Sequence, residues 1–252
     1  MVVRSAVAPL LDEPRVSAPQ IAQALAGHAL SLLERENDWC RVRGGDDYEG
    51  WMHAGYLTSP SGLHIDASWS ASPELSLGAE VNGPYGRRIL PLGALLLPGE
   101  TLVDGESVNV RQASSRFPTT AEAVITSARE YYSGASYQWG GITPWGCDCS
   151  GFVQLLFALH GVALPRDARQ QVLEGEDGGD DMLTAAAGTL QFFSDRADDR
   201  ITHVGLSSGA GQLLHVSLGR GGFAVEQLDA DDPLVARLRA QWRATRRVLP
   251  TA

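Results

Sequence analysis

Asp148-Cys149-Ser150-Gly151-Phe152-Val153-Gln154-Leu155-Leu156-Phe157-Ala158-Leu159-His160-Gly161 is the stretch from which the rest of the sequence can be oriented. Phe152, Val153, Leu155, Leu156, Phe157 and Leu159 leave little polar surface between Ser150 and His160. The pattern predicts a helix over residues 150–160, buried almost all round. Gly161 stands where a helix-ending C′ glycine belongs, and Pro165 follows. Cys149 therefore stands at the start of a buried helix. A thiol there faces free N–H groups and the positive end of the helix dipole, which favours the thiolate. The same N–H groups, that of Cys149 included, can receive a developing oxyanion. Taken alone, the residue also reads as an inert buried cysteine.

A cysteine nucleophile needs a base, and the base needs a group that orients it. Thr202-His203-Val204-Gly205-Leu206 and Leu213-Leu214-His215-Val216-Ser217 flank the turn Ser208-Gly209-Ala210-Gly211. The two histidines are placed symmetrically about Gly209. In a hairpin closed there they fall opposite each other on one face, with Cβ atoms about 5 Å apart. Val204, Leu206, Leu214 and Val216 then share the other face, toward the core. One histidine can orient the ring of the other; two ordinary strand histidines are the alternative. Cys147, Cys149, His203 and His215 also make a possible set of zinc ligands. One residue between the cysteines is tighter than the usual two to four, so no metal is expected. His28, His53, His64 and His160 read as structural or solvated, His160 at a helix end where a cation is favoured.

Upstream of the cysteine, Thr120 can cap a helix over residues 121–132, stopped by Gly134. Downstream, residues 189–228 read as strands. Helices first and strands later make an α+β domain over residues 116–252. Residues 1–115 have another character. Ala29–Leu33, Asp38–Arg43, the turn Gly44-Gly45-Asp46-Asp47 and Tyr48–Met52 suggest a small β-barrel over residues 1–60, with a joint at Pro60-Ser61-Gly62. A second barrel is expected over residues 61–115. There Ile89–Leu97 is apolar, Pro98-Gly99-Glu100 turns, and Gly105–Val110 offers a return. Pro91 and Pro98 limit strands in that region to edges or ends.

The chain has 252 residues, 44% of them apolar and 20% charged, and a formal charge of −10. It can bury a substantial core. An acidic chain without a basic stripe is a poor nucleic-acid binder and does not hold anionic wall polymers by charge. The three cysteines, Cys40, Cys147 and Cys149, are no disulfide framework. Reduced thiols and a cytoplasmic location are the expectation. The N-terminal residues, interrupted by Pro9 and Asp12, do not read as a secretory signal. No apolar stretch has membrane-spanning length.

Tyr137-Gln138-Trp139-Gly140-Gly141, Asp148-Cys149-Ser150-Gly151-Phe152-Val153, Gly161-Val162-Ala163-Leu164-Pro165-Arg166-Asp167 and His203-Val204-Gly205 together resemble the NlpC/P60 family of papain-like peptidases. The resemblance covers roughly residues 118–228. The preceding region resembles bacterial SH3-like domains. Two such barrels before the peptidase are similar to the murein-peptide recycling members, which are γ-D-glutamyl-L-diamino-acid endopeptidases.

The resemblance implies a triad of Cys149, His203 and His215. It implies no cofactor, and a partner that is a murein tri- or tetrapeptide with a free N-terminal L-Ala, cut after D-Glu. Asp167 matches the position that holds the substrate ammonium in recycling enzymes. Tyr137 and Trp139 match positions lining the cleft, and Asp148 and Ser150 flank the nucleophile as further candidates for substrate contact. Tyr48 and Glu13 are the candidates in the first barrel for binding the amino terminus. Two residues depart from the family pattern. Ala168 stands where a serine is expected, at a cost of about 1 kcal/mol for one hydrogen bond. Thr189 stands in Gly188-Thr189-Leu190 where an aspartate is usual. The glycine-rich acidic stretch Gly175–Asp181 has no assigned function. The competing readings are an acyltransferase of the same fold and a non-catalytic module that binds wall fragments.

Overall fold

The computed structural model describes residues 1–63 and 72–250. His64 lies outside the described residues. The chain forms two compact units, Met1–Arg116 and Phe117–Ala252.

In the first unit β1 (Val2–Val3) pairs with β7 (Leu57–Thr58). An antiparallel sheet runs in the order β3 (Gln20–Leu25), β2 (Val7–Leu11), β6 (Glu49–His53), β5 (Trp39–Arg43), β4 (Ser31–Glu36). Alternation places Cys40 and Val42 of β5 and Met52 of β6 inside, with Ala8, Leu10, Ala22 and Ala24. The β5–β6 turn falls where the sequence places it, with Asp47 in the left-handed region at φ 59°, which aspartate tolerates.

A second set of strands follows. β10 (Gly86–Ile89), β9 (Glu80–Gly83) and β11 (Thr101–Asp104) form one small sheet, and β12 (Ser107–Asn109) pairs with β8 (Glu74–Ser76). The apolar run Ile89–Leu97 is strand only at Ile89. Pro91 has no N–H to donate, and Gly93 turns the chain at φ 88°. Leu90, Leu92, Ala94, Leu96 and Leu97 are buried in that turn region all the same. The unit ends in a short helical turn, α1 (Ala113–Arg116).

The second unit begins with α2 (Ala121–Tyr132), capped by Thr120, whose hydroxyl accepts from the Ala123 N–H at 3.3 Å. A small hairpin of β13 (Ile142–Thr143) and β14 (Gly146–Cys147) leads into α3 (Cys149–Leu159). Helix α3 begins and ends one residue before the predicted span, and Gly161 closes it at φ 78°. It packs on α2 and on the strands that carry His203 and His215. Phe152 sets its ring edge-on to Tyr132 and Phe223, at 4.9 and 5.8 Å.

After α4 (Ala168–Gln171) the chain builds an antiparallel sheet in the order β15 (Glu176–Asp177), β20 (Trp242–Arg247), β16 (Leu190–Phe193), β17 (His203–Gly209), β18 (Gln212–Ser217), β19 (Gly222–Gln227). Helix α5 (Pro233–Gln241), with Asp232 as its cap, packs Leu238 against Leu213 and Phe193. The acidic stretch Gly175–Asp181 thus supplies the edge strand β15. No helix among the described residues is long and apolar enough to cross a membrane.

The β17–β18 hairpin differs from the symmetric placement about Gly209. Leu206 pairs with Leu214 and Ser207 with Leu213, and a bulge then brings Gly209 opposite Gln212. The tight turn is Ala210-Gly211, with φ of 50° and 70°, the positive pair that a two-residue hairpin turn requires. The register is shifted by two residues, so the histidines sit diagonally and not directly opposite. A shift of two preserves the face of every side chain. Val204, Leu206, Leu214 and Val216 are accordingly all fully buried on one face.

Candidate active site

Cys149 is the first residue of α3 and is 8% exposed. The backbone N–H groups of Ser150 and Val204, the latter next to His203, favour its thiolate. The helix end alone predicts an acidified thiol. In the folded chain burial outweighs it and pushes the thiol up to about 12, with the Asp148 carboxylate adding to the rise and the two N–H groups and Arg166 opposing it.

His203 is partly buried at the start of β17, and His215 is fully buried on β18. Their nitrogens, His203 Nε2 and His215 Nδ1, lie 2.8 Å apart with the rings at 73°. Gly205 makes room for this diagonal contact: a Cβ there would meet the Leu213 side chain and the Cβ of His215. Desolvation, and then the His215 charge, press His203 down to about 3. Near neutral pH the folded chain therefore holds this thiol and this imidazole neutral. His203 Nδ1 is the ring nitrogen that His215 does not engage.

Behind His215 stand residues that the sequence did not single out. Glu226 of β19 accepts from His215 Nε2 at 3.3 Å, and Arg220 donates to both its carboxylate oxygens at 2.7 and 2.9 Å. Arg220 also pairs with Asp232 at 2.8 Å. The available signal was a lone carboxylate in the otherwise uncharged strand Gly222-Phe223-Ala224-Val225-Glu226-Gln227.

A second network fixes the loop before Cys149. Asp148 caps α3 by accepting from the Gly151 N–H at 2.8 Å, and it also accepts from the Gly140 N–H at 2.8 Å. Arg166, 2% exposed, donates to both Asp148 oxygens at 3.0 and 2.7 Å and to the Ser150 hydroxyl at 2.9 Å. The Asp148 and Ser150 side chains are thus engaged in holding the loop before Cys149. Gly151 has to be glycine, because a Cβ would run into the Gly141 carbonyl oxygen. Arg166 was passed over in the sequence in favour of its neighbour Asp167.

The remaining candidates are placed as follows. Tyr137 is half-buried. Burial raises its hydroxyl to about 12, with Cys149 and Asp148 adding to the rise, so it stays protonated near that thiol. Trp139 is 67% exposed. Asp167 caps α4 without a side-chain cap bond and pairs with Arg169 at 2.9 Å. Ala168 beside it is buried and carries no hydroxyl. Thr189 is buried and donates to the Ala186 carbonyl at 2.7 Å. Tyr48 and Glu13 belong to the other unit, where Tyr48 packs on the barrel core and Glu13 pairs with Arg15 at 2.7 Å. Of the other histidines, His28 bonds the Gly93 carbonyl at 3.2 Å and His53 caps a turn at the Gly55 N–H. His160 is buried between the Pro118 carbonyl and the Ser127 hydroxyl, at 2.7 and 3.0 Å. All three are structural. Among the described residues no group of three or more His, Cys, Asp or Glu is arranged to hold a metal ion.

Similarity to known proteins follows the same division. The NlpC/P60 family model matches residues 134–234, and the bacterial SH3 domain model matches residues 6–58. The gamma-D-glutamyl-L-lysine dipeptidyl-peptidase of Bacillus subtilis is 30% identical over 213 residues, spanning 77% of this chain and 71% of that protein. Dipeptidyl-peptidase 6 of Lysinibacillus sphaericus is 28% identical over 264 residues, spanning 92% and 93%. An NlpC/P60 family protein from Bacillus cereus has the same fold, with a TM-score of 0.83 at 20% identity over 99% of both chains.

Proposed function

The chain belongs to the NlpC/P60 family, and from that premise we propose that it is a γ-D-glutamyl-L-diamino-acid endopeptidase acting on murein peptides with a free N-terminal L-Ala. Hydrolysis of peptidoglycan peptides by a cysteine nucleophile is the broad activity. The bond cut and a cytoplasmic recycling role are the finer parts of the proposal. The observation that carries it is Cys149 at the start of a buried helix, with His203 held by His215 at 2.8 Å.

The chemistry follows from that arrangement. Cys149 gives its proton to His203 Nδ1 as the sulfur attacks the γ-carbonyl carbon of D-Glu. The backbone N–H of Cys149 and the Tyr137 hydroxyl receive the oxyanion. The C–N bond breaks, and His203 protonates the leaving amine of the diamino acid. Water then attacks the thioester, its proton passing to His203, and the thiol is restored. No metal takes part.

Asp167 is the proposed anchor for the substrate ammonium, exchanging its Arg169 partner for the ligand. A charge-assisted hydrogen bond is worth about 1.5–3 kcal/mol. Asp167→Asn is therefore expected to lower kcat/KM for L-Ala-γ-D-Glu-meso-diaminopimelate by about 10- to 100-fold. The parallel measurement is hydrolysis of the same peptide acylated at its amino terminus, followed by mass spectrometry. The expected result is cleavage of the free peptide alone. Equal cleavage of both removes the amino-terminal anchor and the recycling role, and cleavage of neither removes the proposed substrate.

A further inference from the structure

We propose that Glu226, acting through His215, is a positioning residue that fixes His203 in the one neutral tautomer able to serve as base. The inference rests on the reading of Cys149 and His203 as the reacting pair. A carboxylate only accepts, so His215 must present its proton at Nε2 to Glu226. In the neutral ring its Nδ1 is then bare and accepts the proton on His203 Nε2, 2.8 Å away. His203 Nδ1 is left bare in turn, and that nitrogen takes the thiol proton. The choice made at Glu226 is thus passed across two rings.

Two features of the site make the choice matter. Burial holds His203 neutral near pH 7, so the location of its single ring proton decides whether it is a base or a donor toward Cys149. Glu226 is itself fixed as an anion: hydrogen bonds from His215 and Arg220 hold its carboxyl down at about 2. Arg220 engages both its oxygens and is tied to Asp232, the cap of α5, so the carboxylate cannot rotate away. The register agrees. Leu213 pairs with Glu226 and His215 with Ala224, which sets Glu226 diagonal to His215 on the same face of the sheet.

Glu226→Gln tests this with little change of volume. A glutamine amide offers an acceptor at one end and a donor at the other, so it selects neither tautomer of His215. The charged and titratable groups around the pair are Cys149, Asp148, Arg166 and Tyr137 on the nucleophile side, and Glu226, Arg220 and Asp232 on the other. Only Glu226 is altered. The substrate-independent readout is the rate at which iodoacetamide labels Cys149 between pH 5 and 9, located by mass spectrometry. The second readout is kcat and KM for the free tripeptide over the same range. We expect labelling near pH 7 to slow by about tenfold and kcat to fall by about 10- to 100-fold, with KM within twofold. Because burial already holds His203 neutral across this range, the loss in both readouts should be nearly independent of pH, as a tautomer effect requires and a shifted titration does not.

Thermal unfolding of the variant, and of Arg220→Lys, distinguishes a fold defect from a positioning effect. Arg220→Lys keeps the charge beside Glu226 but loses the paired contact, so it should fall between wild type and Glu226→Gln in rate. A Glu226→Gln protein that folds and labels at an unchanged rate overturns the inference. Rapid labelling of the wild type without peptide hydrolysis overturns the substrate assignment instead and leaves the tautomer argument to be decided by the labelling profiles.

Discussion

Replacing Cys149 with alanine is expected to remove hydrolysis of the free tripeptide, a loss on the order of 10⁴-fold or more in kcat, while leaving the fold intact. The size of the loss follows from the role of the sulfur. Without it no thioester forms, and what remains is the weak assistance of an N–H group and a neutral imidazole to direct attack by water. The side chain is small and sits at the edge of its helix, so its removal should cost about 1 kcal/mol of stability at most. His203→Ala should cost nearly as much activity. The double variant should be little worse than either single one, because the two residues act as a unit. Labelling adds a control: Cys40 and Cys147 are 1% and 0% exposed, so the alanine variant should take up almost no iodoacetamide in the native state. Retention of more than about a tenth of wild-type kcat in Cys149→Ala would end the assignment of the nucleophile.

What the sequence disclosed about this site is governed by the range over which its patterns act. Helices α2 and α3 were legible because caps, stops and apolar runs are local signals. The face shared by His203 and His215 was legible because side-chain direction in a strand has a period of two. Their register was not, since a two-residue slip leaves the period intact and only the turn at Ala210-Gly211 and the bulge before it fix the pairing. The run Ile89–Leu97 illustrates the opposite error. Its apolar residues are indeed buried, but burial in a turn region and burial in a strand read alike in a short run. Helix α5 and strand β20 went unread because Trp242-Arg243-Ala244-Thr245-Arg246-Arg247 carries too many charges for a buried-strand pattern. The thiol shows a different limit. The helix N-terminus could be read from Cys149 onward, whereas the burial that outweighs it is a property of the packed chain.

Arg166→Leu is expected to destabilise the unit Phe117–Ala252 by about 3–5 kcal/mol, and to lower activity beyond what the stability loss explains. The guanidinium is 2% exposed and spans both oxygens of Asp148, whose side chain is 8% exposed. Removing the cation leaves a buried carboxylate without its counter-charge, which costs far more than the pair contributes over a well-packed apolar replacement. The same carboxylate holds the Gly151 and Gly140 N–H groups and lies beside Cys149. An unpaired anion there opposes formation of the thiolate during attack, so kcat should fall by 10-fold or more even where the variant is fully folded. Arg166→Lys separates charge from geometry. A lysine restores a cation but cannot bridge two oxygens and the Ser150 hydroxyl at once, so its stability should lie between the two. Denaturant unfolding followed by tryptophan fluorescence measures the first effect, and kcat under folding conditions the second. Arg166→Leu within 1 kcal/mol of wild type would mean that the backbone bonds and the α3 cap satisfy Asp148 without it. Arg166→Lys matching wild type in both measurements would reduce the contribution of Arg166 to its charge alone.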